Sequence, residues 1–274
     1  MKRKTSLVRF WATAACLISL GTVIFLLVYV FWKGGSAVTR EFLTQPPKGA
    51  VLGTEGGILP AIVGSLLYTL IAVVFASLLG IATALYQVFY CKHRKRAAAI
   101  SLIMQCMAGV PSIVMGLFGY ALLVLALGWG KCLLSGGITQ GIMILPYIAV
   151  RAEKAFRETD NDVLHASRAM GVSRGYTVRR IVLPAARGQL TSAVILGGAY
   201  AMGAAAPLIF TGAVIYSRMP TDLMQPAMAL PYHLYMLLTQ GIAPQNAYGT
   251  AFVLMLLVLL LNIAATLIAG RKLK

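Results

Sequence analysis

A polar segment at residues 162–184 separates two long apolar runs, and its residue types suit a protein–protein contact better than bond chemistry. Residues 160–162 read Asp-Asn-Asp and can cap a helix, and Gly171 can adopt the left-handed conformation that ends one. Ser173 can cap a second helix, which is expected to end before Pro184 redirects the chain. The pattern therefore predicts two short helices outside the bilayer that form a docking surface.

No other group of residues suits catalysis or the binding of a metal or nucleotide. The three histidines, His93, His165 and His233, lie in three separate predicted loops, and no Ser/His/Asp set is evident. The four cysteines are scattered singly, without Cys-x-x-Cys spacing. The chain also lacks the Gly-x-x-x-x-Gly-Lys-Ser/Thr phosphate loop. We therefore predict no enzymatic activity, no cofactor and no metal, and any energy from ATP must come through a partner.

The composition places the chain in a membrane. Of its 274 residues 59% are hydrophobic and only 11% are charged, which is too little polar surface for a soluble protein of this size. A net charge of +17 ordinarily suggests nucleic acid, but most of the basic residues flank apolar runs. A DNA-binding helix-turn-helix is the alternative interpretation of the arginines in the polar segment, and the membrane spans on both sides argue against it.

Six apolar runs are predicted to form transmembrane helices. They cover residues 10–32, 58–90, 97–130, 141–150 with part of the preceding turn, 188–216 and 247–269. The third is predicted to bend at Pro111, and the fourth to follow an outer turn at 131–140 and to kink near Pro146. The proline-containing stretch 218–241 is predicted to dip back toward the membrane.

The charge distribution predicts the orientation of these spans. Nineteen of the 24 Lys and Arg residues fall at the two ends, after the second span and at residues 151–187. Cationic segments stay in the cytoplasm, so both termini are predicted to be cytoplasmic. A cleaved signal peptide is the alternative for the first span, although its apolar run exceeds the usual signal core. With every charge in a loop or at a boundary, a proton-coupled carrier is disfavoured.

The polar segment also resembles a known family. Bacterial ABC-importer membrane subunits bind the ATP-hydrolysing subunit through a cytoplasmic loop, and five residues of the polar segment resemble that loop in type and spacing. They are Ala166, Gly171, Ile181, Leu183 and Pro184. The family pattern begins with Glu and two Ala. Here His165 takes the first position and Ser167 the third, which alters the first contact of the loop.

Four further stretches, in the family's order and with similar separations, resemble the A-type permease of phosphate importers. They are Gly-Gly-Ile at 56–58 with Gly-Ser-Leu at 64–66, the run 110–118, the run 206–211, and Asp-Leu-Met-Gln-Pro at 222–226 with Leu-Pro at 230–231. The likeness covers residues 56–262. It implies an all-α membrane protein with six spans and the type I ABC importer permease fold. Residues 1–55 would form a tail, first span and outer loop, and 56–270 the permease core with coupling helices at 160–187.

The resemblance also implies partners and a location. The partners would be two copies of an ATP-binding subunit, a second phosphate-type permease, an extracytoplasmic phosphate-binding protein and membrane lipid, with no role for nucleic acid. The location would be the bacterial inner membrane. The chain would carry phosphate by alternating access and would itself hydrolyse nothing. There are two alternatives. One is a permease of the same architecture that carries another substrate, and the other is a channel or secondary carrier that works alone.

Two sets of site residues follow from the resemblance. The ATPase-coupling loop would comprise Asp162, His165, Ala166, Ser167, Gly171, Ile181, Leu183 and Pro184. The translocation pathway would run beside Pro111, Ser112, Tyr200, Ala204, Pro207 and Thr211. Simple helix kinking is the alternative role of the prolines, and local packing that of Tyr200. In the family the positions of Tyr200 and Ala204 usually carry Arg and Glu, so this chain has lost two charges there.

Overall fold

Helices make up most of the computed structural model, which describes residues 2–49, 53–159, 167, 169–241 and 243–270. In chain order the α-helices of this part are α1 Lys2–Gly35, α2 Arg40–Thr44, α3 Leu59–Leu85, α4 Arg94–Gly109, α5 Ser112–Gly119, α6 Leu133–Arg157, α7 Arg174–Thr177, α8 Leu183–Gly203, α9 Ala206–Thr211, α10 Leu230–Gln240 and α11 Pro244–Gly270. Three π-helical turns extend or join them, at Tyr86–Tyr90, Tyr120–Ala126 and Val178–Val182. Two short strands, β1 Pro47–Lys48 and β2 Glu55–Gly56, form an antiparallel hairpin.

Five helices of the described residues are long and apolar enough to cross a membrane, namely Arg9–Gly35, Leu59–Tyr90, Leu133–Arg157, Arg174–Gly203 and Pro244–Ile268. The pair Arg94–Gly109 and Ser112–Ala126 gives a sixth span if its two parts are counted together, with a bend of 101° between them. The predicted break at Pro111 is thus confirmed. The described residues therefore form the predicted helical membrane fold with five spans, or six with the bent pair, and add one small hairpin.

The centre of the molecule is the contact between α3 and α6. Ala72 and Ala76 of α3 are fully buried against Ile144 and Ile148 of α6, and Ala201 of α8 closes the same cluster. Small side chains let membrane helices approach closely, where van der Waals packing drives their association. By contrast, none of the most apolar stretch of α1 is buried, and this helix contacts mainly α11.

The segment between α1 and α3 folds back onto the start of α3. Ile58 donates its backbone N–H to the Phe42 carbonyl at 2.8 Å, and the Phe42 side chain is buried with Ile58 and Val253. The predicted domain boundary between residues 55 and 56 falls inside the β1–β2 hairpin. It stays a proposal.

The fourth span differs from the prediction of an outer turn at 131–140. Helix α6 already begins at Leu133, because the Cys132 thiol accepts the Ser135 backbone N–H at 3.3 Å and caps the first turn. The following small residues pack against α3 and do not form a turn. The helix then runs through Pro146 and ends at Arg157, so residues 151–157 belong to it.

The prediction that Pro184 redirects the chain is wrong. Helix α7, the π-helical turn and α8 form one element from Arg174 to Gly203. Proline lacks an N–H and its ring crowds the carbonyl four residues earlier. The π-helical turn adjusts the hydrogen bonding just before this point, since Leu183 donates to the Val178 carbonyl five residues back. The second helix of the predicted docking surface is therefore continuous with the fifth span.

The end of the fifth span also differs, because α8 stops at Gly203 and not at Tyr216. The chain then forms the short helix α9, an irregular segment and helix α10. His233 was predicted to lie in a loop. It lies on α10, only 3% exposed, with its Nδ1 3.2 Å from the Thr250 hydroxyl of α11.

Candidate functional site

Two of the three predicted capping features of the polar segment, those at Gly171 and Ser173, are present in the structure, and the third, at residues 160–162, lies outside the described residues. Gly171 has φ +73°, which a residue with a Cβ rarely adopts. The Ser173 hydroxyl accepts the Tyr176 backbone N–H at 3.3 Å and starts α7. The chain thus makes a sharp turn immediately before the long 174–203 element. Asp162, His165 and Ala166 lie outside the described residues.

Ser167 stabilises this turn through buried contacts. Its hydroxyl lies 2.6 Å from that of Thr177, both side chains are buried, and its carbonyl accepts the Val172 N–H at 3.2 Å. The serine that departs from the family pattern therefore makes an internal contact. It fixes the turn to the first residues of the 174–203 element.

The outer side of the turn is exposed and cationic. Met170 and Tyr176 are 80% and 55% exposed. Three exposed arginines lie in the same segment, namely Arg174, Arg179 and Arg180. Exposed apolar side chains beside charged ones are typical of a protein-binding surface. We call these five residues the docking face.

The inner side of the same element packs into the core. Val182 and Ala186 are buried with Ala84 and Phe156, which belong to the C-terminal ends of α3 and α6. Leu183 is partly buried against this cluster, Ile181 is half-buried and Pro184 is exposed. A force applied to the docking face would therefore reach α3 and α6 through direct packing.

The predicted pathway residues gather at two helix breaks. Pro111 is exposed and Ser112 half-buried at the 101° bend between α4 and α5. Helix α5 packs on α9, where Gly116 faces the Ala206 carbonyl. Irregular backbone at membrane depth is tolerated where it is buried in protein or lines a cavity. The structure thus brings together the sequence stretches 110–118 and 206–211.

The other pathway residues differ in exposure. Tyr200 is 53% exposed near the end of α8, and Ala204 is half-buried one turn later. Pro207 and Thr211 are buried, and the Thr211 hydroxyl donates to the Pro207 carbonyl at 2.7 Å. Thr211 therefore supports α9 in this structure and does not present its proton to a cavity.

Gln140 stabilises the break after α8, although the sequence analysis assigned it to an outer turn. Its Nε2 donates to the carbonyls of Ala201 and Ala204 at 2.9 and 3.2 Å, and the side chain is 1% exposed. Both carbonyls lie where the helix ends; that of Ala201 also accepts the Ala204 backbone N–H at 3.0 Å, so Gln140 matters most to the Ala204 carbonyl. A glutamine inside an apolar run was the signal that could have identified it.

We expect Gln140→Leu to lower the free energy of unfolding by about 1–3 kcal/mol, because it removes both hydrogen bonds and leaves the Ala204 carbonyl without this donor. The measurement is thermal unfolding of the detergent-purified protein. Gln189→Leu is the control, since the Gln189 amide contacts the exposed Glu158 at 3.0 Å. Equal melting temperatures for the two variants would contradict the assigned role.

A cavity of about 430 Å³ lies beside both breaks. Its walls are Met107, Ala108 and Val110 from the α4 end, Met143, Pro146, Tyr147, Val150 and Arg151 from α6, and Tyr200 from α8. The Arg151 guanidinium lies 4.6 Å from the centre of the Tyr147 ring, which is 6.4 Å from the Tyr200 ring. Sequence reasoning placed Arg151 in a cytoplasmic loop and missed it as a cavity residue.

Comparison with known proteins agrees with this architecture. The family model described as "Binding-protein-dependent transport system inner membrane component" matches residues 76–272. A probable ABC transporter permease protein, YqgI of Bacillus subtilis, is 29% identical over 86% of this chain and 85% of its own length. The phosphate transport system permease protein PstA 1 of Mycobacterium tuberculosis is 30% identical over 97% of this chain and 87% of its own length.

Solved structures share the fold at low sequence identity. An inward-facing form of the MetNI methionine ABC transporter matches 79% of this chain and 96% of the other, with a TM-score of 0.66 and 18% identity. A bacterial alginate ABC transporter, solved with an alginate pentasaccharide-bound periplasmic protein, matches 98% of both chains, with a TM-score of 0.66 and 14% identity. This multi-pass membrane protein therefore belongs to the family of binding-protein-dependent transport system inner membrane components, the permease subunits of ABC importers.

Proposed function

We propose that this chain is a permease subunit of an ATP-driven importer of inorganic phosphate in the bacterial inner membrane. Its partners would be a second phosphate-type permease, two ATP-binding subunits and an extracytoplasmic phosphate-binding protein. The observation that carries the choice of phosphate is the likeness to a phosphate transport system permease over 97% of the chain.

The mechanism would be alternating access driven from the docking face. The ATP-binding subunit would grip the turn at Gly171 and the exposed arginines, and its closure would move the 174–203 element as a rigid lever. Because Val182 and Ala186 pack on α3 and α6, the movement would reach the helices that line the cavity. Binding energy released on the cytoplasmic side would thereby shift the population between two arrangements of the spans.

Substrate identity can be tested through ATP hydrolysis by the reconstituted complex. We expect the phosphate-loaded binding protein to stimulate hydrolysis, and the same protein without phosphate to stimulate it less. Stimulation only by a binding protein loaded with another solute would favour a permease of this build with a different substrate. Solute flux through the chain alone, with no ATP-binding subunit, would favour a channel or secondary carrier.

The positions of the two lost charges give a paired prediction. An Arg at Tyr200 would enter the cavity that already holds Arg151, and like charges there repel each other. We expect Tyr200→Arg alone to reduce the yield of assembled complex, and Ala204→Glu in the same chain to restore it. Tyr200→Gln is the neutral control. Equal yields for the single and double variants would contradict this prediction.

Orientation can be tested with single cysteines in a chain whose natural cysteines are replaced. We expect an impermeant maleimide added outside to label Lys48→Cys but not Lys95→Cys or Arg174→Cys, because cationic segments remain in the cytoplasm. Opening the membrane should make all three reactive, since all three positions are exposed. Labelling of Lys95→Cys in sealed cells would contradict the proposed topology.

A further inference from the structure

Arg151 is the one charged residue among those that line the cavity beside the two helix breaks, within the part of the chain that the structure describes. It lies on α6, inside the helix that is long and apolar enough to span the membrane. The rest of the wall is mostly apolar and includes Met107, Val110 and Val150. The Arg151 side chain is itself exposed, so an anion that enters the cavity can reach the guanidinium.

The described residues give Arg151 no carboxylate partner. The carboxylates that follow it are engaged elsewhere. Glu153 of α6 accepts from Arg157 at 2.9 Å and from Gln87 at 3.3 Å, and Glu158, just after α6, lies 3.8 Å from Lys154. Arg151 instead stacks on Tyr147. A cation–π contact holds the guanidinium plane in place and leaves its N–H edge available for another acceptor.

Two tyrosine hydroxyls accompany this guanidinium. Tyr147 and Tyr200 both line the cavity, from two different helices, and their rings are tilted by 45° at 6.4 Å. No hydrogen-bond partner within the described residues occupies either hydroxyl. A planar guanidinium fork with neighbouring O–H donors matches the acceptor oxygens of a tetrahedral oxyanion.

We propose that Arg151, Tyr147 and Tyr200 form a binding site for a tetrahedral oxyanion within the translocation pathway. This inference rests on the proposed import of phosphate and adds the residues that would hold the ion inside this subunit. The proposed site also accounts for the absence of charge at Tyr200 and Ala204, because its cation, Arg151, lies on the neighbouring helix α6.

The location of this site links it to the conformational change. Val110 lies at the bend between α4 and α5, and Tyr200 lies one turn before the end of α8. The third wall, α6, packs against the 174–203 element at its cytoplasmic end. Movement of that element would therefore change the spacing between the Arg151 guanidinium and the Tyr200 hydroxyl, and with it the affinity for the ion.

Uptake of radiolabelled phosphate by the reconstituted importer gives the first test. We expect Arg151→Gln to reduce uptake about tenfold, since it removes charge-assisted hydrogen bonds, and Arg151→Lys to retain an intermediate rate. Tyr147→Phe and Tyr200→Phe should each cause a smaller loss. Lys154→Gln is the control, because this side chain is exposed one turn away and does not line the cavity. Wild-type uptake by Arg151→Gln would overturn the proposal.

A binding assay keeps the test independent of turnover and assembly. Ala108→Cys, an exposed cavity position, is placed in a chain without other cysteines and treated with a thiol reagent. Inorganic phosphate should slow the labelling where chloride does not, and Arg151→Gln should abolish that protection. Protection that persists in Arg151→Gln overturns the site even if phosphate is transported. Protection that requires Arg151 supports the site even if the transported solute is not phosphate, which separates this inference from the proposed function.

Discussion

Gly64→Ala should leave little folded protein. A Cβ at this position of α3 would overlap the Met228 carbonyl oxygen, and the overlap is with backbone. The facing segment cannot retreat, because the Leu230 N–H donates to the Ser65 hydroxyl at 2.7 Å. The Tyr68 hydroxyl also lies 3.3 Å from both the N–H and the carbonyl of Ala227. Overpacking of this kind costs about 3 kcal/mol or more when the neighbours cannot move.

The measurement is the amount of monodisperse protein after detergent extraction, together with its melting temperature. Gly21→Ala is the matched control, since it adds the same methyl to a helix where nothing lies within 4 Å. That change should be neutral or slightly favourable, because Ala is the better helix former. Similar yields for the two variants would show that the close approach of α3 to Met228 is not required.

The second large effect concerns coupling, where Gly171→Val should abolish most ATP-driven transport while the spans remain folded. The strain is conformational, because a Cβ at Gly171 meets no atom within 4 Å but φ is +73°. A β-branched residue in this region costs roughly 1–2 kcal/mol. The Ser167–Thr177 contact ties this turn to the first residues of the 174–203 element. A change of backbone conformation that relieved the strain would therefore displace the docking face.

Two controls separate strain from added bulk. Gly171→Asn keeps a residue that tolerates the left-handed conformation and should retain transport. Gly175→Ala adds a methyl four residues later, in a right-handed helical turn where nothing lies within 4 Å, and should also retain it. The readouts are solute uptake and retention of the ATP-binding subunit on the purified complex. Normal values of both for Gly171→Val would contradict the role assigned to this turn.

Local chemistry explains why parts of this fold can be predicted from the sequence. Apolar length alone identifies the first, second and sixth spans, and Pro111 marks the bend because it follows a helix that it cannot continue. Gly171 and Ser173 act through their own backbone and side chain, so their roles need no knowledge of distant contacts. Each is present as predicted.

The failures arise where tertiary packing overrides a local rule. The early start of α6 depends on the Cys132 cap and on packing against α3, and neither is visible as a local helix signal. Pro184 normally ends a helix. Here the π-helical turn before it accommodates the missing N–H, and the burial of Val178 and Val182 in the core holds that turn in place.

For the same reason, only part of the candidate site could be predicted from the sequence. Similarity of spacing pointed to Pro111, Tyr200 and the ATPase-coupling loop. It could not show that the Gln140 side chain, on α6, donates a hydrogen bond to the end of α8. Arg151 was counted with the cytoplasmic charges because Lys154 and Arg157 follow it closely. Only its position over the Tyr147 ring separates it from them.

The most direct test of the central claim is uptake of labelled phosphate into proteoliposomes that contain this chain, its partner permease and the ATP-binding subunit. We expect accumulation of phosphate that requires both ATP and the phosphate-binding protein, and that falls about tenfold in Arg151→Gln, because the charge-assisted hydrogen bonds are lost. ATP-driven accumulation of another solute, without phosphate, would contradict the substrate assignment. Accumulation without ATP would contradict the proposed coupling to ATP hydrolysis.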